Sequence, residues 1–133
     1  MADLTAADNS TPLYTLEGLR VQAKCTAVYD GDTAYFAFRV AEGAPIYRYK
    51  CRMAGYNSAE LRTRDPVEKA AGIAAKNALS ADICDKIVTL SIGKYDKYGR
   101  LLVEVFHSGE NINKKMVTGG FGKPYDGRGE KQW

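Results

Sequence analysis

Three stretches of alternating apolar and polar residues follow one another in the first half of the chain. They cover residues 21–29, 34–40 and 47–53, and the turn-forming segments Asp30-Gly31-Asp32 and Glu42-Gly43-Ala44-Pro45 separate them. A period of two residues is typical of a strand with one buried face. The pattern therefore predicts three consecutive strands in an antiparallel meander.

The period changes after these strands. Asp65 suits an N-cap, Pro66 suits the first helical position, and Glu68 can complete a capping box before an Ala-rich run that reaches about Asp82. These signals predict a helix. Two further strands at residues 88–92 and 101–105, joined by a loop, and a short helix at residues 111–117 that ends before Gly119-Gly120, are predicted to follow.

Five short strands, three before a helix and two after it, predict a mainly β protein of the α+β class. The expected architecture is a five-stranded Greek-key barrel of the OB type with two helices. A chain of 133 residues is long enough for one such domain. We expect a flexible N-terminal leader over residues 1–18, which show no periodicity, and the domain over residues 19–133.

The composition limits the kind of partner without identifying it. The net charge of +3 is compatible with a polyanionic ligand. Tyr47-Arg48-Tyr49-Lys50 interleaves rings and cations, a pattern that suits base stacking and phosphate binding, but one that half-buried strand tyrosines also produce. The N-terminus lacks a secretion signal and no stretch is apolar enough to cross a bilayer, so we expect a cytoplasmic or otherwise intracellular protein without a membrane partner.

Three segments hold the polar residues that phosphodiester hydrolysis needs. They are Asp30-Gly31-Asp32-Thr33, the stretch from Arg52 to Asn57-Ser58-Ala59-Glu60, and Asp96-Lys97-Tyr98-Gly99-Arg100. The reaction requires a cation or arginines to hold developing charge, and a base to activate water. Each segment alone has a simpler explanation, because Asp-Gly is a common hairpin turn and arginines often line solvated strand faces.

Taken together, these segments resemble the staphylococcal nuclease (thermonuclease) family. Its members carry an Asp-Gly-Asp-Thr turn, an arginine followed by Asp-Thr-Pro-Glu, and an Asp-Lys-Tyr-Gly-Arg loop. The same motifs occur here in the same order and with similar spacing, and the resemblance extends over residues 21–125.

The resemblance implies a calcium site. Asp32 corresponds to a direct ligand, Asn57 and the backbone carbonyl of Ser58 correspond to the other two protein ligands, and Asp30 shapes the turn. Calcium prefers such oxygen ligands. Asn57 stands where the family most often has aspartate, so we expect weaker calcium binding, and Ala59 replaces a proline that stiffens the loop.

The resemblance also implies roles for residues around the phosphate. Glu60 corresponds to the general base that activates water. Arg52 and Arg100 correspond to the arginines that bind and stabilise the pentacoordinate phosphate. The substrate-binding positions hold Lys97 and Tyr98, which match residues on a terminal nucleotide phosphate, and Tyr125, which lies near the base-stacking tyrosine.

The sequence thus favours a calcium-dependent nuclease that cuts DNA, and RNA as a second polymer, and leaves 3′-phosphate ends. The alternative is a non-catalytic OB-fold module that binds nucleic acid. The neutral Asn57 favours that alternative, whereas the presence of Arg52, Glu60 and Arg100 together opposes it. We expect a monomer, and we expect the family's long C-terminal helix to be absent.

Overall fold

A computed structural model describes residues 3–127 of the chain, and its regular elements follow the predicted order. A 3₁₀ turn at Leu4–Ala6 precedes eight strands and two helices. Their bounds are β1 (Arg20–Asp30), β2 (Thr33–Phe38), β3 (Tyr47–Met53), β4 (Tyr56–Asn57), α1 (Pro66–Ile83), β5 (Ile87–Tyr95), β6 (Leu101–His107), β7 (Glu110–Asn111), α2 (Ile112–Thr118) and β8 (Lys123–Pro124).

Five of these strands form a closed mixed barrel, as the sequence predicted. β1, β2 and β3 make the antiparallel meander, and β1 also pairs with β5, which pairs with β6. The parallel pairing of β3 with β6, from Cys51 opposite Leu101 to Met53 opposite Val103, closes the ring. Closure places the end of β3 beside the start of β6, so residues distant in the sequence become neighbours there.

The barrel interior holds the hydrophobic core, and both helices cover it. Phe36, Met53, Leu90 and Val103 are fully buried inside the barrel, and α1 adds Leu79 from its inner face. Burial of side chains of this size stabilises a fold by about 1.5–3 kcal/mol each. Ala34, Phe36 and Phe38 of β2 are buried and the residues between them are half-buried, so the alternation in the sequence corresponds to the two sides of the barrel wall.

The start of α1 differs from the prediction in one detail. The Asp65 side chain accepts a hydrogen bond from Val67 N at 2.9 Å, as an N-cap should. The predicted capping box was wrong, because the backbone N–H of Asp65 donates to Thr63 Oγ1 instead. The Glu68 carboxylate accepts hydrogen bonds from Glu60 N and Thr63 Oγ1, since the loop before the helix folds back over its first turn.

Three further features extend the predicted pattern. β5 continues to Tyr95 through a register shift after Ile92, so the loop before β6 is shorter than expected. The short strands β4 and β8 pair with each other beside the barrel, and Tyr125 N donates to Gly55 O at 2.9 Å. Leu16 is already buried in the core, three residues before the predicted domain boundary.

Residues 1–2 and 128–133 lie outside the described part of the chain. The prediction that the C-terminal helix of the family is absent concerns the end of the chain, which lies outside the described residues. No helix among residues 3–127 is long and apolar enough to span a membrane.

Candidate active site

The turn between β1 and β2 places Asp32 at the mouth of the barrel. Asp30 Oδ1 accepts a hydrogen bond from Asp32 N at 3.0 Å, which closes an Asx-type turn. Tyr56 Oη donates to Gly31 O at 2.7 Å. A Cβ on Gly31 would lie 2.6 Å from Ala75 Cβ and 2.7 Å from Ser58 Oγ, so glycine lets the turn pack directly against α1 and against Ser58, which follows β4.

The three predicted metal ligands lie together beside this turn. Ser58 donates to Asp32 Oδ2 through both its backbone N–H and its hydroxyl, each at 3.2 Å. Asn57 Oδ1 accepts a hydrogen bond from Arg52 Nη2 at 3.2 Å, and the same nitrogen lies 3.8 Å from Asp32 Oδ2. All three residues are buried. The structure therefore places the Asp32 carboxylate and the Asn57 amide within 4 Å of one guanidinium nitrogen.

Arg52 lies near the end of β3, where the barrel closes, and its side chain binds backbone carbonyls of the residues that follow. Its Nη1 donates to Met53 O at 3.2 Å and to Tyr56 O at 3.1 Å. With the bond to Asn57, both terminal nitrogens have protein acceptors, and the residue is only 7% exposed. Arg52 thus holds the turn between β3 and β4 in shape, a role that its position in the sequence did not reveal.

Arg100 approaches the same turn from the loop between β5 and β6. Its Nε donates to Asp96 Oδ2 at 2.7 Å, which orients the guanidinium. Burial alone would raise the pKa of Asp96, but hydrogen bonds from the backbone N–H groups of Arg100 and Tyr98, and then the Arg100 side chain, lower it. Asp96 is therefore held as an anion that fixes Arg100.

Thr33 joins the two halves of the site and was not singled out from the sequence. Its hydroxyl donates to Asp32 Oδ1 at 3.1 Å and accepts a hydrogen bond from Arg100 Nη1 at 3.3 Å. It also lies opposite Arg52 in the β2–β3 ladder. A continuous set of contacts therefore runs from Asn57 through Arg52, Asp32 and Thr33 to Arg100.

Glu60 is exposed, and its backbone rather than its carboxylate is fixed by neighbours. Glu60 N donates to Glu68 Oε2 at 3.3 Å. A Cβ on Gly72 would lie 2.7 Å from Glu60 O and 3.1 Å from Ala59 O, so α1 packs directly on this segment. The sequence suggested only a capping role for Glu68 and gave no signal for Gly72, because these contacts arise only once the loop folds over the helix.

The carboxylates around the turn concentrate negative charge. The pKa of Asp30 is raised to about 6. Burial is the largest cause, and the charge and side-chain hydrogen bond of Asp32 and the charge of Glu60 add to it. Oxygen donors and surplus negative charge fit a hard cation such as calcium. Within residues 3–127, no group of three or more His, Cys, Asp and Glu side chains could hold a metal ion. A cation bound to Asp32 would therefore need amide, hydroxyl or carbonyl oxygens and water as well.

A cavity of about 450 Å³ opens next to these groups. The predicted phosphate-binding and substrate-binding residues all contribute to its wall, namely Arg52, Lys97, Tyr98, Arg100 and Tyr125. The ring of Tyr125 lies with its centroid 6.0 Å from the Arg52 guanidinium carbon, and Arg100 lies 5.6 Å from the centroid of Tyr98. Asp32 and Glu60 do not line this cavity, so the proposed metal and base positions lie beside it.

The barrel and the cluster at its mouth define an OB-type domain with two arginines and a carboxylate-rich turn at one end. In the comparison with known families, residues 50–132 match the family described as Staphylococcal nuclease homologue. The chain belongs to this family, whose OB-fold domains cut or bind nucleic acids and are typically calcium-dependent where they cut. No curated protein matches the chain.

Proposed function

We propose that this protein is a calcium-dependent nuclease that hydrolyses phosphodiester bonds in DNA, and in RNA as a second substrate. The observation that carries the proposal is the set of contacts that joins Arg52, Asp32, Thr33 and Arg100 beside one cavity. Two arginines at one cavity can bind a phosphate from two sides and stabilise the charge that it gains during attack.

In the proposed reaction, Glu60 takes a proton from the attacking water as the water oxygen bonds to phosphorus. The bond from phosphorus to the 5′ oxygen breaks, the leaving 5′ oxygen takes a proton from solvent water, and the phosphate stays on the 3′ side. Arg52 and Arg100 offset the developing negative charge. Lys97 and Tyr98 hold a terminal phosphate, and Tyr125 stacks on a base at the cavity wall.

Asp32, Asn57 and the Ser58 carbonyl are the residues proposed to hold calcium. When bound, the ion would supply positive charge against the phosphate oxygens. Hydrogen bonds from Ser58 and Thr33 hold the Asp32 carboxylate in place, which supports its assignment as a fixed ligand. Asn57 Oδ1, which accepts a hydrogen bond from Arg52 Nη2, is a neutral amide oxygen of the kind that calcium also binds.

A second candidate function, binding of nucleic acid without cleavage, also has a specific observation in its favour. Arg52 is satisfied by Met53, Tyr56 and Asn57, so it needs no phosphate to complete its hydrogen bonds. The neutral Asn57 also lowers the charge available to a metal. In that function the cavity would hold a phosphate and a base, and no bond would break.

The direct test is incubation of the purified protein with single-stranded DNA, in calcium and in excess chelator, followed by end-group analysis. The proposal expects cutting in calcium, none in chelator, and 3′-phosphate ends. Binding without cutting at any calcium concentration would support the second function. Equal cutting in chelator would remove the calcium assignment.

The two arginines distinguish the functions further. Lysine keeps the charge but loses the paired donors, so Arg100→Lys should lower kcat steeply while weakening oligonucleotide binding much less. Arg52→Lys should do the same and also lower the melting temperature, because it removes hydrogen bonds to the turn between β3 and β4. In a binding module, both variants would instead show mainly weaker, salt-sensitive binding.

A further inference from the structure

One face of β3 carries a cation at every second position. Arg48, Lys50 and Arg52 point to the same side of the strand, because side chains alternate along it. Successive members lie about 6.6 Å apart along an extended strand, two residues at about 3.3 Å each. We call these three residues the cation row. Its inner end is Arg52 at the candidate active site, and its outer members Arg48 and Lys50 are exposed.

Aromatic rings of the neighbouring strands lie beside the cation row. Tyr35 pairs with Lys50 in the β2–β3 ladder. Lys50 Nζ lies 4.7 Å from the ring centroid of Tyr29 and 6.0 Å from that of Tyr35. The Arg48 guanidinium lies 5.7 Å from the Tyr35 centroid. The sheet therefore presents cations and rings together on its outer side, and Tyr29 is 38% exposed.

The outer members of the cation row carry charge that is not neutralised. Among the ion pairs between residues 3 and 127, none joins Arg48 or Lys50 to a carboxylate. Their only described side-chain contacts are with tyrosine rings, and at exposed sites such contacts are weak. Both cations can exchange a ring for a phosphate at little cost, which exposes the ring to a base.

The surface is continuous with the candidate active site. Lys50, Tyr98 and Arg100 line one shallow depression of about 370 Å³, so the cation row meets the β5–β6 loop there. A strand whose phosphate lies between Arg52 and Arg100 would have its next nucleotides beside Lys50.

We propose that the cation row, with Tyr29 and Tyr35, binds the unpaired nucleotides of the same strand that enters the cutting site. The ligand is a single-stranded polynucleotide, because half-exposed rings can stack only on bases that are not paired in a duplex. The surface thus gives the enzyme a preference for unpaired polymers over dinucleotides. This inference rests on the proposed function, since it takes Arg52 and Arg100 as the cutting position.

The test measures binding in excess chelator, where no cutting occurs. The probe is a labelled single-stranded oligonucleotide of about 12 nucleotides, within the roughly 4–16 that one barrel of this kind covers. For each phosphate that the protein no longer neutralises, about 0.7 fewer counterions are released, which predicts about fourfold weaker binding at about 0.15 M salt. Lys50→Ala should therefore weaken binding about fourfold, and Arg48→Ala/Lys50→Ala about fourteenfold, with a salt slope lower by about 1.4.

Matched controls come from exposed residues elsewhere. Lys114→Ala removes an equal charge from α2 and should leave binding unchanged. Tyr29→Ala should weaken binding at least about fivefold, because a base can no longer stack there. Tyr47→Ala removes a more exposed tyrosine from the opposite side of β3 and should have little effect. All variants change exposed side chains, and an unchanged melting temperature will verify their fold.

The outcomes separate this inference from the proposed function. If the wild type cleaves DNA but Lys50→Ala and Lys114→Ala bind the oligonucleotide equally well, the inference is wrong and the proposed nuclease function is unaffected. Loss of binding in Lys50→Ala without any wild-type cleavage would overturn the nuclease but keep the binding surface. The same binding measurement is made with a duplex of equal length. If the protein binds duplex and single strand equally and Tyr29→Ala has no effect, the assignment to unpaired nucleotides is wrong.

Discussion

At the scale of single residues, a hydroxyl and two backbone carbonyls hold the charged side chains of the candidate active site in place. Asp32, Arg52 and Arg100 were predicted from motifs, and the structure brings them to one end of the barrel. The hydroxyl of Thr33 and the carbonyl partners of Arg52 were not predicted, because they depend on side-chain orientation across paired strands.

Thr33→Val should impair the site without removing any charge. Valine has nearly the same shape but cannot bridge Asp32 and Arg100, so buried polar atoms lose a partner. We expect a loss of about 1–3 kcal/mol in the free energy of unfolding, and a fall in kcat of about tenfold or more from misplacement of Arg100. Thr33→Ser should restore most of both. If Thr33→Val and Thr33→Ser have equal kcat, the hydroxyl does not position the site.

Glu60→Gln should remove most of the rate while leaving the fold intact. Glu60 is exposed, and its described hydrogen bond is through the backbone, so the melting temperature should not change. The amide cannot accept a proton from water, and loss of a general base costs about 10²–10⁴-fold. Single-turnover cleavage at saturating calcium measures this effect. A change of less than about tenfold would indicate that another group acts as the base.

At the scale of elements, long periodic segments were predictable and two-residue strands were not. The meander, α1 and α2 have repeated apolar positions and capping residues that are visible in the sequence. β4 and β8 have no period, since their pairing depends on where the chain returns after α2. The packing of α1 against the Glu60 segment is likewise a product of the tertiary fold, and Gly72 lies at the contact.

Gly72→Ala should separate helix stability from site geometry. Alanine favours a helix by about 1 kcal/mol over glycine, but its Cβ would lie 2.7 Å from Glu60 O and 3.0 Å from Glu60 C. The backbone of Glu60 must therefore move, and a displacement of about 1 Å at a catalytic group can cost about 10²-fold in kcat.

The matched control for this variant is Ala74→Gly on the exposed side of α1. It should destabilise the helix by about 1 kcal/mol and leave kcat unchanged well below the melting temperature. Equal kcat values for Gly72→Ala and the wild type would mean that the segment adjusts without moving the Glu60 carboxylate.

At the scale of the whole molecule, barrel closure explains why three separate motifs form one site. The β1–β2 turn, the end of β3 and the β5–β6 loop meet where β3 pairs with β6. The OB-type barrel was predictable from the number and order of strands. The surplus of negative charge at its mouth was not, because it depends on the burial of Asp30 and its distance from other carboxylates.

That surplus makes calcium a predicted stabiliser of the native fold. A ligand that binds only the native state adds about 2.7 kcal/mol to the free energy of unfolding at 100 times its dissociation constant. For 133 residues, an unfolding entropy of about 2.1 cal/mol/K per residue converts this to a rise of roughly 10 °C in melting temperature. Differential scanning calorimetry in calcium and in chelator measures the rise without any need for cleavage.

Two variants of the proposed ligands make this measurement specific. Asp32→Asn removes the carboxylate at the centre of the site, so calcium should no longer raise the melting temperature. Asn57→Asp adds a charge at a buried position next to Arg52, so the same rise should occur at a lower calcium concentration. If calcium raises the melting temperatures of the wild type, Asp32→Asn and Asn57→Asp equally, Asp32 and Asn57 are not calcium ligands. A wild type that does not respond at any calcium concentration would favour the binding module, because a nucleic-acid surface needs no metal to keep its shape.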